Sequence, residues 1–364
     1  MKHLYFTVTN DLTYDQRMHR ICTCLAENGY TVTLIGRRLP TSIPLENKKF
    51  RQKRLNLFFT KGKLFYAEYN VRLFLYLLFQ KIDTICAIDL DTIIPCYYIS
   101  TIKKTARVYD AHELFTEQKE IITRPTIHHW WKKIEQRYVP RFSHGYTVCE
   151  SIAQFFQQRY KVHYSIIRNL PILETDSQPI TASKPFILYQ GAVNEARGLE
   201  ALIPAMVHIP YPLIICGDGN FMPQLKKLIT VYGVTEKVIL KGMVPPSELK
   251  KISSQALIGV NLIENTGLNQ YFSLANKFFD YIHAGIPQVT MNYPEYKKIN
   301  DELTVGVLID ALTTEKISYA VNNLAKDTVT YQLMKDNCSK QKLKYNWQQE
   351  QLHLITFYDA LFNK

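Results

Sequence analysis

The fold is decided by the stretch Leu4-Tyr-Phe-Thr-Val-Thr-Asn-Asp-Leu-Thr-Tyr-Asp-Gln-Arg-Met-His-Arg-Ile-Cys-Thr-Cys-Leu-Ala-Glu-Asn-Gly-Tyr-Thr-Val-Thr-Leu-Ile35. Its first six residues are an apolar run that predicts a strand ending in a polar loop. Apolar residues then recur at the i, i+3, i+4 and i+7 spacing of a helix, at Met18, Ile21, Cys22 and Leu25. Gly29 ends this helix, and residues 30–35 predict a second strand. The stretch therefore reads as a strand-helix-strand unit.

The same alternation continues along the chain and predicts a parallel α/β sheet. It breaks at the polar, aperiodic residues 173–184 and restarts at Phe186. We therefore predict two doubly wound, Rossmann-like domains, at residues 1–170 and 185–345, joined by a linker at 171–184. A terminal helix at 346–364 is expected to pack back on the first domain. The 364 residues are ample for two hydrophobic cores.

The net charge of +12 lies entirely in the first half of the chain. Residues 1–168 hold 26 Lys and Arg against 14 Asp and Glu, whereas the remaining residues hold 18 of each sign. Seven of the cations lie in Lys48–Lys63, directly before an apolar, aromatic segment. This pattern is typical of contact with an anionic surface, either membrane or nucleic acid. It is equally typical of a solvated face beside a core helix.

Several other classes of protein are disfavoured by the sequence. The longest strongly apolar stretch, residues 73–79, is far shorter than the ~20 residues of a membrane-spanning helix. The N-terminus becomes polar too early for a signal peptide. The seven scattered cysteines form no CxxC pair, which predicts reduced thiols in the cytoplasm and no metal site.

The most informative helix is predicted after Ser273, in Ser273-Leu-Ala-Asn-Lys-Phe-Phe-Asp-Tyr-Ile-His-Ala-Gly285. Its apolar residues form one stripe, and an adjacent stripe carries Ser273, Asn276, Lys277 and Asp280. With Ser273 as N-cap, the helix N-terminus and Lys277 would bind a diphosphate, and Asp280 would accept hydrogen bonds from ribose hydroxyls. The competing interpretation is an ordinary cap followed by solvated charges.

Five segments in order carry a resemblance to a known family. They are Asn10-Asp11 with Tyr14-Asp-Gln-Arg17, Tyr109-Asp-Ala-His-Glu113, Tyr189-Gln-Gly-Ala-Val-Asn-Glu-Ala-Arg-Gly198, Gly217-Asp-Gly219, and residues 273–287. Together they resemble bacterial glycosyltransferases of family 4 (group 1). The resemblance implies the GT-B fold, in which two Rossmann-like domains face each other across a cleft. It also implies a retaining, metal-independent transfer from a nucleotide-diphosphate sugar, with no cofactor, the donor mainly on the second domain and the acceptor mainly on the first.

The resemblance assigns donor-side roles in the second domain. Arg197 and Lys277 resemble the cations that neutralise the donor diphosphate as it leaves. Asp280 resembles the second acid of the family's E-x7-E element, but Phe272 stands where the first acid belongs. The loop Gly267, Leu268 and Asn269 is expected to take over the contact with the donor sugar.

In the first domain, His112 resembles the family's active-site histidine, which contacts the donor sugar or the developing oxocarbenium ion. Glu113 is expected to orient His112 or to help bind the acceptor, which Asn10 and Asp11 are expected to face. In the second domain, Gly217 and Gly219 lie in a strand-to-helix turn where the backbone approaches the nucleotide. Met222 replaces the third glycine of GxGxxG, which disfavours a nicotinamide site.

The sequence thus predicts a hexosyltransferase of cell-surface polysaccharide synthesis with a glycan or lipid-linked acceptor. We expect it to be cytoplasmic and peripheral at the inner face of the membrane. A nucleotide-sugar epimerase or hydrolase of the same fold is the first alternative. A basic nucleic-acid-binding protein is the second, although no nucleic-acid motif accompanies the charge and no nucleic-acid partner is expected. A sugar-binding pseudoenzyme also remains open.

Overall fold

The computed structural model describes residues 1–174 and 184–363, which form two compact units. The first unit comprises Met1–Asn169 and Glu350–Lys364, and the second comprises Leu170–Gln349. Most of the predicted linker, at 175–183, lies outside the described residues. Each unit is built around one parallel sheet.

The first unit has a seven-stranded parallel sheet in the order β3-β2-β1-β4-β5-β6-β7. The strands are β1 His3–Thr7, β2 Thr31–Arg37, β3 Arg51–Leu55, β4 Thr84–Ile88, β5 Ala106–Ala111, β6 His144–Thr147 and β7 Ser165–Ile166. The helices are α1 Gln16–Glu27, α2 Gly62–Leu78, α3 Ile93–Lys103, α4 Lys119–Ile122, α5 Pro125–Tyr138 and α6 Glu150–Tyr160. β4 and β5 are neighbours, with Ile88 opposite Asp110, so the residues that follow them meet at one sheet edge.

The second unit has a six-stranded parallel sheet in the order β10-β9-β8-β11-β12-β13. The strands are β8 Ile187–Gln190, β9 Leu213–Cys216, β10 Val238–Gly242, β11 Ile258–Asn261, β12 Gln288–Met291 and β13 Gly306–Ile309. The helices are α7 Leu199–Ala205, α8 Met222–Val231, α9 Pro246–Gln255, α10 Leu268–Tyr271, α11 Asn276–Ala284, α12 Pro294–Glu302, α13 Thr314–Lys326 and α14 Thr328–Lys344. Buried aliphatic and aromatic side chains from both faces of this sheet form its core.

The last helix, α15 Trp347–Phe362, begins in the second unit and has most of its length in the first. Its Tyr358 is fully buried, with its ring centroid 6.1 Å from that of Phe6 on β1. The hydroxyl groups of Tyr358 and Tyr146 lie 3.4 Å apart in the core. The side chains of α15 thus complete the core of the first unit.

The charged segment at Lys48–Lys63 contains β3, a strand that the hydrophobic pattern did not predict. Alternate residues of β3 are exposed, because it is the edge strand. Not all of its cations face solvent: the Arg54 side chain is 9% exposed and is paired with Asp11 at 2.9 Å. Lys48 and Lys49 pair with Glu46 and Glu27. Arg54 thus has a partner within the unit, and the anionic-surface contact of Lys48–Lys63 stays a prediction.

Two kinds of feature are absent from the described residues. No helix in them is both long and apolar enough to cross a membrane. The same part of the chain contains no group of three or more His, Cys, Asp or Glu side chains placed to hold a metal ion. All seven cysteines are buried free thiols.

Candidate active site

Helix α11 presents Lys277 and Asp280 beside its buried face. Phe278, Phe279, Tyr281 and Ile282 fill the core, and the left-handed Gly285 (φ 70°) ends the helix. Lys277 and Asp280 are three residues apart, so they lie on one side of the helix and are only partly buried. This is the arrangement that the sequence predicts for these two residues.

The prediction that Ser273 is the N-cap of this helix is wrong. The helix begins at Asn276, its N-cap position is Ala275, and residues 273–275 are not helical. The buried Tyr296 explains the difference: its hydroxyl accepts a hydrogen bond from the Ala275 N–H at 3.1 Å and lies 3.2 Å from the Ser273 hydroxyl. Tyr296 therefore holds the segment before the helix, and the Ser273 side chain contacts it instead of capping.

Lys277 is held against an aromatic ring. Its Nζ lies 3.9 Å from the centroid of Tyr189, at the end of β8, a cation–π distance. Burial and the nearby charge of Arg197 lower the pKa of Lys277 to about 7, against the opposing effect of Asp280. Arg197 directly precedes the left-handed Gly198 at the start of α7. The structure thus brings two cations together in the second unit, and an anion bound there would stabilise the charged form of Lys277.

Asp280 is oriented by a residue that the sequence analysis did not single out. Gln190 is 4% exposed and donates from Nε2 to Asp280 Oδ2 at 2.8 Å. Its Oε1 accepts a hydrogen bond from Ser253 Oγ, also at 2.8 Å. Because the carboxylate oxygen of Asp280 accepts this hydrogen bond, the amide of Gln190 must present its N–H to Asp280 and its Oε1 to Ser253. The sequence feature that could have indicated Gln190 is its position at the end of a predicted strand, directly before Gly191.

Gly217 and Gly219 allow two loops at the same sheet edge to touch. A Cβ on Gly217 would lie 1.9 Å from the Gly191 carbonyl oxygen, and one on Gly219 would lie 2.3 Å from the Val193 carbonyl oxygen. Gly217 also has φ 150°, which favours glycine. The contact that requires these glycines is therefore internal to the unit, and nucleotide binding by them stays a prediction.

The predicted donor-sugar loop forms the start of a short helix. Gly267 precedes α10, and Leu268 and Asn269 are its first two residues. Leu268 is 39% exposed. Phe272, at the position of the missing acid, packs its ring 5.5 Å from that of Tyr271. An aromatic contact thus replaces the carboxylate, and the sugar-binding role of this loop stays a prediction.

In the first unit, His112 follows β5 and meets Asp89, which follows β4. His112 Nδ1 lies 3.2 Å from Asp89 Oδ2. Burial lowers the pKa of His112, but the carboxylates of Asp89, Glu113 and Asp110 outweigh burial, so the pKa is raised. Burial also raises the pKa of Asp89 well above its usual range. Desolvation likewise raises the pKa of a second acid, the partly buried Asp91, to about 6, and its carboxylate accepts a 2.5 Å hydrogen bond from Thr9.

Asp89 and Asp91 are functional candidates that the sequence analysis missed. Two acids directly after the apolar strand Thr84–Ile88 were the available signal. Glu113, by contrast, has its Oε2 bound by the Gln118 amide. The structure therefore places Asp89, not Glu113, in contact with the Nδ1 atom of His112.

The neighbouring Asp110 has a structural partner. Arg17 donates to it from Nε at 3.1 Å and from Nη2 at 2.8 Å, and from Nη1 to the Ile167 carbonyl at 3.0 Å. Both side chains are buried. This bidentate pair fixes α1 against β5. The guanidinium charge of Arg17 balances the carboxylate charge of Asp110.

Asn10 and Asp11 are occupied within their own loop. Asn10 donates to Asp15 at 2.6 Å and accepts from the Leu12 N–H at 3.0 Å. Asp11 is bound by Arg54, Thr13 and Ser42. These contacts shape the loop after β1, and a role towards an acceptor stays a prediction.

Comparisons with known proteins give a family match over part of the chain. Residues 174–342 match the family model described as glycosyl transferases group 1. A curated relative, alpha-D-kanosaminyltransferase of Streptomyces kanamyceticus, is 23% identical over 161 residues, which are 43% of this chain and 40% of that protein. The alignment thus spans less than half the length of this relative.

Solved structures share the fold over the whole chain. Sucrose-phosphate synthase of Thermosynechococcus elongatus has a TM-score of 0.86 at 14% identity and covers 100% of both chains. Anabaena HepE, solved in complex with UDP-glucose, has a TM-score of 0.75 at 12% identity and covers 99% of this chain and 100% of its own. The predicted two-sheet α/β fold is confirmed. Residues 174–342 thus match the model of the glycosyl transferases group 1 family, and the chain that contains them has the GT-B fold.

Proposed function

We propose that the protein is a retaining hexosyltransferase that moves a sugar from a nucleotide-diphosphate donor to a glycan or lipid-linked acceptor in cell-surface polysaccharide synthesis. The observation that carries this proposal is the cluster of Lys277, Arg197 and Asp280 in the second unit. Breaking a glycosidic bond to a nucleoside diphosphate builds negative charge on the leaving group. Two fixed cations stabilise that charge in the transition state, without need of a metal ion.

Asp280 supports the nucleotide part of the proposal. The carboxylate is held by Gln190 through one oxygen and can accept hydrogen bonds from the two hydroxyls of a ribose. HepE, which shares the fold, was solved with UDP-glucose. UDP-sugars are therefore the first donors to test.

The decisive experiment measures transfer and donor binding on matched variants. We expect the protein to release nucleoside diphosphate from a sugar nucleotide, to keep the anomeric configuration of the donor, and to remain active in a chelator. Lys277→Ala removes a charged contact worth ~1.5–3 kcal/mol, so donor affinity and turnover both fall. Lys297→Ala, which removes an exposed lysine paired with Asp301, is the control and leaves both unchanged. Normal donor binding by Lys277→Ala contradicts the proposed site.

The same assay separates the alternatives. A free or epimerised sugar without any transfer product indicates a hydrolase or epimerase. Donor binding without turnover indicates a sugar-binding pseudoenzyme. Retention of duplex or single-stranded nucleic acid on filters at physiological salt, weakening as salt rises further, would instead favour the nucleic-acid-binding alternative.

An exposed apolar surface supports a membrane-bound acceptor. Glu68 accepts hydrogen bonds from the backbone N–H groups of Phe58 and Phe59 and pairs with Arg72 at 2.8 Å. These contacts fasten the loop before α2 to the helix. The resulting α2 outer face is formed by apolar side chains that are 45–84% exposed: Phe58, Phe59, Leu64, Val71, Leu75 and Phe79. The exposed Lys61 and Lys63 lie at its edge.

We propose that the α2 outer face binds an anionic bilayer as a peripheral, cytoplasmic contact. Apolar residues flanked by lysines match the acyl boundary and the anionic headgroups of such a surface. Sedimentation with phosphatidylglycerol vesicles tests this, and binding should fall as salt rises. The double change Leu75→Glu and Phe79→Glu should abolish binding. Val231→Glu, at a 66% exposed residue of the second unit, should leave binding intact. Equal vesicle binding by the double variant and by Val231→Glu would refute the proposed bilayer contact.

A further inference from the structure

Asp89 has a backbone conformation that an aspartate seldom adopts. Its φ is 55° and its ψ is −178°, a combination found almost exclusively in glycine. Its N–H donates to the Asp110 carbonyl at 2.9 Å, so the strand ladder between β4 and β5 fixes the residue there. Backbone strain of this kind persists where the surrounding structure imposes it, and it concentrates at functional sites. A glycine would relieve the strain, so the side chain of Asp89 needs a separate reason.

The carboxylate of Asp89 has no structural partner comparable to those of its neighbours. Asp110 is neutralised by Arg17, and Asp91 is bound by Thr9. Within the described residues, Asp89 Oδ1 is buried without a hydrogen-bond partner, and so is His112 Nδ1. The 3.2 Å between Asp89 Oδ2 and this Nδ1 is an ion-pair contact that lacks the alignment of a hydrogen bond. Catalytic hydrogen bonds are often loose in this way until substrate binds.

The charges around His112 single out Asp89. The groups that act on the imidazole are Asp89, Glu113, Asp110, Asp91 and Arg17. Asp89 has the strongest electrostatic effect of them on His112. Asp110 and Arg17 carry opposite charges and form one ion pair, so their effects on the pKa of His112 oppose each other. Removing Asp89 should therefore change the protonation of His112 more than removing any other single carboxylate.

We propose that Asp89 is the positioning residue for His112, sharing one proton with Nδ1 so that Nε2–H remains a hydrogen-bond donor to the sugar. When the proton lies on the carboxyl, the neutral imidazole carries its own proton on Nε2. When it lies on Nδ1, the imidazolium carries protons on both nitrogens. Either way Nε2 keeps its proton. Once the pair loses the shared proton, the Asp89 carboxylate holds the remaining proton at Nδ1, and Nε2 becomes an acceptor.

This proposal rests on the proposed function for the role of His112, but its first test does not. The His112 imidazole is followed by ¹H–¹⁵N NMR titration, with its signal assigned by its absence in His112→Ala. In Asp89→Asn the pKa of His112 should fall by about one unit or more, because an opposite charge within 4–6 Å is lost. Asp91→Asn removes a carboxylate that does not contact the ring and should shift the pKa less.

Asp89→Gly makes the test independent of folding. Glycine accepts the observed backbone, so this variant should melt at or above the temperature of the parent, whereas His112 titrates as in Asp89→Asn. In the transfer assay, the alkaline limb of the kcat profile should move to lower pH in both variants, lowering kcat about tenfold in the region of the shift. Donor KM should change little.

The outcomes separate the two proposals. An unchanged His112 titration in both Asp89 variants overturns the pairing, whatever reaction the protein catalyses. A shifted titration together with full transfer by His112→Ala keeps the pairing and refutes the catalytic role of His112. A lower melting temperature for Asp89→Gly with an unmoved kcat profile means that Asp89 is structural only, which also overturns the proposal.

Discussion

Donor binding should be coupled to proton uptake by Lys277. In the free protein its pKa is about 7, because burial and Arg197 disfavour the ammonium. A bound diphosphate favours the ammonium and raises this pKa, so the protein takes up a proton on binding whenever the pH is above 7. Well below pH 7 the lysine is already charged in the free protein, and the coupling fades.

The size of the effect follows from this pKa. At pH 9 about 1% of Lys277 is charged in the free protein, against half at pH 7. The dissociation constant of UDP-glucose should therefore rise about 50-fold between these pH values and about tenfold for each further unit, or about 1.4 kcal/mol per unit. Calorimetry across this range measures it, and the heat should also vary with the ionisation enthalpy of the buffer.

Lys277→Arg is the matched variant. Arginine stays charged at every accessible pH, so the donor affinity of Lys277→Arg should not change between pH 7 and pH 9. Lys297→Arg, at the exposed lysine paired with Asp301, should keep the slope of the parent. A flat profile in the parent, or an equally steep one in Lys277→Arg, would refute the coupling.

Three further changes test the packing around the site. Gln190→Ala leaves Asp280 without its amide partner, so donor affinity should fall about tenfold with a smaller change in kcat, measured by calorimetry and transfer kinetics. Arg17→Leu leaves Asp110 buried and unpaired, and the free energy of unfolding of the first unit should fall by about 3–5 kcal/mol in urea. Gly217→Ala places a Cβ 1.9 Å from a carbonyl oxygen, so the second unit should lose more than about 2 kcal/mol of stability in urea.

Each of these has its own control. Gln255→Ala, at the end of α9, should leave donor affinity unchanged. Arg17→Leu with Asp110→Leu should recover most of the lost stability, because no buried charge remains. Gly233→Ala changes another left-handed glycine with open space around it and should cost only about 1–2 kcal/mol. A Gly217 variant no less stable than the Gly233 variant would contradict the close loop contact.

The sequence predicts the sheets better than the site. The strand at Thr31–Arg37 is found where residues 30–35 predict one, because a short run of apolar and β-branched residues after a helix-ending glycine is typical of a buried strand. β3 was missed because an edge strand exposes alternate charged residues. The prediction of Ser273 as the helix cap is wrong because the residue that holds the segment before the helix, Tyr296, is distant in sequence. Asp89 could not be predicted for the same reason. Its candidate role depends on contact with His112, and the two residues come together only because β4 pairs with β5.

The path of α15 has a consequence for how the protein is made. Residues 170–349 form the second unit, and they are synthesised before residues 350–362, which the first unit needs. Tyr358 is buried among Phe6 and Tyr146, so the N-terminal sheet lacks part of its core until the ribosome has added that residue. The second unit has all its strands and can fold on emerging, whereas the first must wait. The earliest residues of the chain are therefore among the last to reach their final packing.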